Sequence, residues 1–233
     1  MKKTAGFAIL IFFCAALFAV SGGAKDKPAA SLWTNAPLKI DGAIPDWEGN
    51  GMLTDKKSKA EYAFRNDGEN LYILFAFRDG ESLSTIEATG MTIYYTLDGK
   101  KRKKDGLHFV KRQVGADALI ASLEQKGEVL PEETKEEMRK RPAYILYEGE
   151  LVNPPKQAVS APQAERLELP TFRSQKNPDA VFYEFRIPLD HDPRIGGLGA
   201  RPGQTVTLGF EWGGLTEQMI AARLARAAES STR

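Results

Sequence analysis

The segment LYILFAF (Leu71–Phe77) is apolar at every position, and so on both alternations of an extended chain. A half-exposed strand places polar residues at every second position, so a strand without them must be covered on both faces. The preceding NDGEN carries Asp-Gly turn chemistry. The chain is therefore expected to build layers on both sides of one central strand.

Its companions are readable by the same rule. MTIYYTLD (Met91–Asp98) puts Ile93, Tyr95 and Leu97 on one face and Thr92, Tyr94 and Thr96 on the other, a strand with one wet face, followed by a turn in LDGK. AYILYEGELV (Ala143–Val152), VFYEFRIPL (Val181–Leu189) and QTVTLGFEWGG (Gln204–Gly214) read as further strands. In the last, Val206, Leu208, Phe210 and Trp212 share a face opposite Thr205, Thr207 and Glu211. LPEETKEEMRKRP (Leu130–Pro142) reads as a short exposed helix whose leading acids and trailing bases match the helix dipole. Pro154, Pro155, Pro162, Pro170 and Pro178 punctuate a polar stretch read as an irregular insertion, and Met219, Ile220 and Leu224 near the C-terminus sit at helical spacing. There are no internal repeats. The expected class is all-β: an antiparallel β-sandwich, immunoglobulin- or jelly-roll-like, with a short mid-chain helix, a Pro-rich insertion and a C-terminal helix.

Compartment follows from the N-terminus. Lys2 and Lys3 precede an apolar run from Ala5 to Val20 and the small residues SGGA, the pattern of a secretory signal peptide. The run is shorter than the roughly 20 residues of a membrane-spanning helix. Residues 1–24 are expected to be the signal peptide and residues 25–233 a single domain, secreted or periplasmic in a bacterium. Cys14 follows Phe12 and Phe13 deep in the apolar run, not a small residue, and reads as a discarded signal-peptide residue. Cleavage would remove the only cysteine and two lysines, taking the formal charge from +1 to −1 (+1 − 2). That balance argues against nucleic acid or a generic anionic membrane as partner, and no later stretch reads as a membrane span. The core must hold without disulfides, which a chain of this length can do.

Four segments occur in order: IDGAIPDW, NDGENLYILFAFRD, YEFRIPLD and RPGQTVTLGFEW. Together they resemble the family 9 carbohydrate-binding module, a β-sandwich of the DOMON-related superfamily, over about residues 38 to 212. The matching positions are Asp41, Gly42, Asp46 and Trp47, then Leu71, Tyr72 and Asp79, then Glu184, Ile187 and Pro188, and finally Pro202 and Gly203. The resemblance implies that Trp47 packs under the sandwich as a core residue. It also implies a carbohydrate site built on an aromatic clamp, from which this chain departs. Ile86, before Glu87, stands at the first clamp tryptophan, and the second has no counterpart.

No catalytic constellation can be assembled from the residues. Asp190, His191 and Asp192 in LDHDPR cannot all face one ion in extended backbone, and no second His-rich segment completes a metal set. IGGLGARPG leads into a strand through a Pro-containing turn, which does not suit a phosphate cradle. The expected function is therefore a non-catalytic, exported carbohydrate-binding-like module, associated with glycan binding or polysaccharide breakdown at the bacterial envelope. Arg78, Glu87 and Tyr94 are its candidate rim residues, with planar and bidentate groups suited to ring faces and hydroxyls. Trp33 is the tryptophan freest to meet a ligand, although packing of an N-terminal arm also accounts for it. The alternative is a periplasmic interaction or assembly protein, with an envelope protein as partner, that has lost the sugar site. No cofactor is identified. A haem-binding relative would need His108 or His191 with Met52 or Met91, and no motif ties these together.

The basic run GKKRKKDG (Gly99–Gly106) is the sharpest charge feature. It reads as a solvated hairpin tip whose charges discourage edge-to-edge pairing. Replacing Lys100, Lys101, Arg102, Lys103 and Lys104 with serine is expected to change stability by less than about 0.5 kcal/mol. Binding to acidic polysaccharide or lipopolysaccharide should stay the same. A salt-sensitive loss of that binding would make this loop the functional site.

Overall fold

The all-apolar run is the middle strand of a sheet, and both of its faces are covered. In a computed structural model, the protein is described over residues 17–20, 27–49, 51–56, 58–97, 99, 105–125, 127–154 and 170–213. Strand β6 (Asn70–Phe77) lies between β5 (Glu61–Asn66) and β11 (Val181–Pro188), antiparallel to both, and none of its residues is exposed. The sheet continues outward from β11 to β10 (Thr171–Lys176) and from β5 to β3 (Leu32–Trp33), with β4 (Leu53–Thr54) also pairing β5.

The second sheet is built on β12 (Thr207–Trp212), β7 (Met91–Thr96), β8 (Gly106–Val114) and β9 (Tyr144–Leu151), paired antiparallel in that order. Two N-terminal strands, β1 (Leu17–Val20) and β2 (Lys27–Ala30), extend it beyond β12, β1 running parallel to β12. The two sheets face one another across an aromatic core. Phe75 of β6 meets Phe210 of β12 edge-on at 4.8 Å between centroids, and Phe109 of β8 meets Phe185 of β11 at 5.0 Å. Trp212 adds its ring against Phe75 and Phe77, as its alternation in the strand required. Ile93 and Tyr95 are buried in this layer, while Thr92, Tyr94 and Thr96 face outward and are half-buried.

The other face of β6 is covered by loop, not by a third sheet. Tyr72, Leu74 and Ala76 pack with Ala63, Phe182 and Trp47, and Leu38, Ile40 and Met52 close over them. The segment from about residue 38 to 52 thus supplies the second covering that the apolar run demanded.

The mid-chain helix is α3 (Glu132–Arg139), exposed as its charges implied. Two helices were not legible beforehand: α1 (Gly80–Thr89) between β6 and β7, and α2 (Ala116–Gln125), tied to α3 by Lys135–Glu124 and Arg139–Asp117 ion pairs. The reading of the Pro-punctuated stretch as irregular is corrected at its end. TFRSQK forms β10, because Phe172 is drawn into the core and the turn before β11 is held by Asn177, whose Oδ1 accepts from the backbone N–H of Asp179 and Ala180. The body of that insertion (155–169), the C-terminal helix and the basic run at 100–104 lie outside the described residues, as does the expected signal peptide apart from β1. Among the described residues, no helix is long and apolar enough to cross a membrane.

Candidate functional site

Glu184 is wholly buried at 0% exposure in the middle of β11. Its Oε2 accepts from the backbone N–H of Asp41 (3.1 Å) and of Gly42 (3.0 Å), and its Oε1 accepts from Trp47 Nε1 (2.9 Å). Gly42 has φ of +81°, and a Cβ there would lie 2.8 Å from the backbone nitrogen of Gln175, so this turn requires glycine twice over. Burial holds the Glu184 carboxyl above the usual glutamate range, against the three donors that pull it down. Trp47, at 3% exposure, is a core residue. The early Asp-Gly…Trp motif and the late Glu-x-x-Ile-Pro motif are thus two halves of one contact that fastens the covering loop to the sheet.

The NDGEN turn works in the same way. Asp67 Oδ1 accepts from the backbone N–H of Glu69 and Asn70, and its Oδ2 accepts from the Tyr72 hydroxyl at 2.6 Å. Burial and this carboxylate push the Tyr72 phenol well above its ordinary value. Glu184, Trp47, Asp67 and Tyr72 thus hold the fold together.

The three candidate rim residues and Trp33 stand in different places. Arg78 follows β6 on the loop-covered face and is paired to Glu61 at 3.1 Å. Glu87 is exposed on α1, where Ile86 beside it turns into the core. Trp33 lies in β3, against β5, 54% exposed, with Nε1 donating to Asn35 Oδ1. The arm pairs with the sheet, but its indole faces solvent. Tyr94 lies on the outer face of the second sheet, the side of the sandwich away from Arg78.

Around Tyr94 the strand register assembles a surface. Its cross-strand partners are Gly209 on β12 and Gly106 on β8. The ring leans over Gly106, where a Cβ would come within 2.9 Å of Tyr94 Cδ1 and 3.2 Å of Val152 Cγ2. One step along the strands, Glu211, Thr92, His108 and Glu150 form a row across β12, β7, β8 and β9. Thr92 Oγ1 and His108 Nδ1 share a 3.0 Å hydrogen bond. The imidazole lies over Gly90, where a Cβ would sit 3.0 Å from His108 Cε1. Burial holds His108 below its ordinary pKa, opposed by Glu150 and reinforced by Arg112. Arg112 bridges Glu148 and Glu150, both at 2.7 Å.

Two rings laid over glycines, flanked by hydroxyl, carboxylate and guanidinium groups, can stack against a planar ligand face and hydrogen-bond its rim. His108, Thr92 and Glu211 were not singled out for such a site from the sequence. The signal available was the alternation of LHFVKR, which sets His108 opposite the face of Leu107 and Phe109, but its neighbours depend on strand register.

Elsewhere the chemistry is committed to structure. The Asp192 side chain accepts from Arg194 N–H at the start of the 3-10 turn Pro193–Ile195 and pairs with the Arg194 guanidinium at 2.6 Å. The His–Met haem arrangement does not fit His108, because Met91 points into the core between the sheets while His108 faces outward, and Met52 packs with the covering segment on the far face of the other sheet.

No protein-family model and no curated protein matches the chain. The chain is similar to solved structures of a family 9 carbohydrate-binding module from Caldicellulosiruptor kristjanssonii. One, in complex with glucose, shows 14% identity over 70% of this chain and 70% of that chain, at a TM-score of 0.34. Another, in complex with cellotriose, shows 14% identity over 70% of this chain and 68% of that chain, at a TM-score of 0.33.

Proposed function

We propose that the protein is an exported, non-catalytic carbohydrate-binding module whose ligand face is the outer surface of the β12-β7-β8-β9 sheet. The observation that carries this reading is Tyr94 leaning over Gly106, with Gly209 on its other side and the Glu211–Thr92–His108–Glu150 row beside it. Aromatic faces supply much of the affinity at exposed sugar sites, because hydroxyl hydrogen bonds largely replace those already made to water. The ordered motifs that resemble a carbohydrate-binding family and the apolar N-terminal run support the same reading.

With one tyrosine in place of a tryptophan clamp, glucose, cellobiose and xylobiose are expected to bind at about millimolar affinity, roughly 4 kcal/mol. Tyr94→Ala should weaken binding about tenfold, close to 1.4 kcal/mol, and Trp33→Ala should leave it unchanged. Calorimetry on the three proteins checks this. Binding lost with Trp33 and kept without Tyr94 would move the site to the edge of the other sheet.

A second reading, an envelope interaction or assembly protein, is favoured by a different observation. Ile86, at the first clamp position, is buried in the core, and Leu32, Trp33 and Leu53 are exposed on strands that pair with β5. If none of these sugars binds, that edge becomes the surface to test against a protein partner.

A further inference from the structure

Resting on the carbohydrate reading, we infer that Gly106 is a positioning residue for the ligand: it seats the Tyr94 ring on the seam between β7 and β8, so that a sugar stacks there and not toward β12. Tyr94 has a glycine as cross-strand partner on each flank, Gly106 on β8 and Gly209 on β12. The two are not equivalent. A Cβ at Gly106 would come within 2.9 Å of Tyr94 Cδ1, whereas a Cβ at Gly209 would stand 3.8 Å from Tyr94 Cβ, an ordinary contact. The ring takes the place of the side chain that Gly106 lacks, and it does not take that place at Gly209.

Backbone conformation does not account for the glycine at 106. Its φ lies outside the left-handed region, unlike that of Gly90 or Gly99 nearby in the chain. It is part of β8, paired with Tyr94 on one side, and its carbonyl accepts from the Val152 N–H at 3.0 Å on the other. Glycine inside a strand weakens it, because the unfolded chain is freer there and no side chain packs. Room does account for it. The same Cβ would lie 3.0 Å from the Ile93 carbonyl oxygen and 3.2 Å from Val152 Cγ2, so ring, backbone and valine converge on one point. Since the carbonyl is fixed in the sheet, an alanine at 106 has to push the ring off the seam.

The seat decides which groups a stacked sugar meets. Two residues along the same two strands stand Thr92 and His108, partners in register and joined by the 3.0 Å hydrogen bond between Thr92 Oγ1 and His108 Nδ1. A sugar on the seated ring lies beside that pair, and a ring displaced toward β12 carries it away. Stacking is sensitive to such a displacement, because a gap of about 0.5–1 Å already forfeits roughly a quarter to a half of each dispersion contact.

The test is a nuclear magnetic resonance titration of the full chain with cellobiose, for wild type, Gly106→Ala, Gly209→Ala, Tyr94→Ala and the Gly106→Ala/Tyr94→Ala double variant. Gly106→Ala should bind about tenfold more weakly than wild type, close to the loss in Tyr94→Ala, and Gly209→Ala should stay within twofold of wild type. The double variant should match Tyr94→Ala within twofold, because Gly106 acts only through the ring. The Tyr94 ring protons should shift further in Gly106→Ala than in Gly209→Ala, which a loss of stability alone does not produce. If Gly106→Ala does not fold, Val152→Ala decides: it loosens the seat from the other side and should weaken binding at least threefold. Wild-type affinity in the folded Gly106→Ala protein (or in Val152→Ala where that variant decides), an equal loss in Gly209→Ala, or a further tenfold loss in the double variant would each overturn this inference and leave a carbohydrate-binding module in place. Failure of wild type to bind cellobiose would overturn both this inference and the reading beneath it.

Discussion

Glu184→Ala is expected to destabilise the protein by at least about 3 kcal/mol. Each of the three donors it serves is left without its acceptor, and a buried donor so stranded costs about 1–3 kcal/mol. The empty volume adds to this. For a domain of this size that corresponds to a fall in melting temperature of roughly 6–12 °C. The effect also has a pH signature. Burial raises the folded-state pKa above the unfolded one, so this group's stabilisation is full below the ordinary glutamate value and declines as pH rises through the raised value. The difference between wild type and variant should therefore be largest on the acid side and narrow above it. A variant melting within a degree or two of wild type would show that the loop is held by other contacts.

Trp47→Ala is expected to cost about 3–5 kcal/mol, the usual penalty for emptying a buried aromatic site. The indole fills the second core with Tyr72, Leu74 and Phe182, and its N–H is one of the three that hold Glu184. Trp47→Phe separates the two roles, retaining much of the ring and losing the N–H, for about 1–2 kcal/mol. Because Trp47 and Glu184 touch, the double alanine variant should cost clearly less than the sum of the singles. Denaturant melts of the set check this. An unchanged midpoint for Trp47→Ala would mean the indole is not core, and would return it to consideration as a ligand platform.

Much of the β framework was legible because its signals are local. The unbroken apolar run marked β6, the alternations of Met91–Thr96 and Val206–Trp212 marked their inward faces, and the charge order of Glu132–Arg139 marked α3. What was missed had weak local signals. In α1 the apolar positions are few and only Ile86 among them is buried, and in α2, although six of its ten residues are apolar, only Ile120 is buried. Strand β10 is short, polar and flanked by prolines, and is a strand because β11 offers it a complete ladder of partners.

The candidate site divides the same way. Tyr94 was legible, since a tyrosine on the wet side of a one-sided strand is visible in the alternation itself. His108, Thr92 and Glu211 were not, because each belongs to a different strand and their meeting depends on pairing register. Periodicity along the chain reports which face a residue takes, and it therefore determined the layered β class and the inward face of Trp212, while the core place of Trp47 came from the resemblance of its motif. Which strands lie side by side, and at what offset, is a matter of contacts between residues far apart in sequence, as with Glu184 holding the turn at Asp41 and Gly42. Only the tertiary structure could decide that Glu184, Trp47 and Asp67 serve the fold, and that Glu211, Thr92, His108 and Glu150 share one row on the outer face of the other sheet.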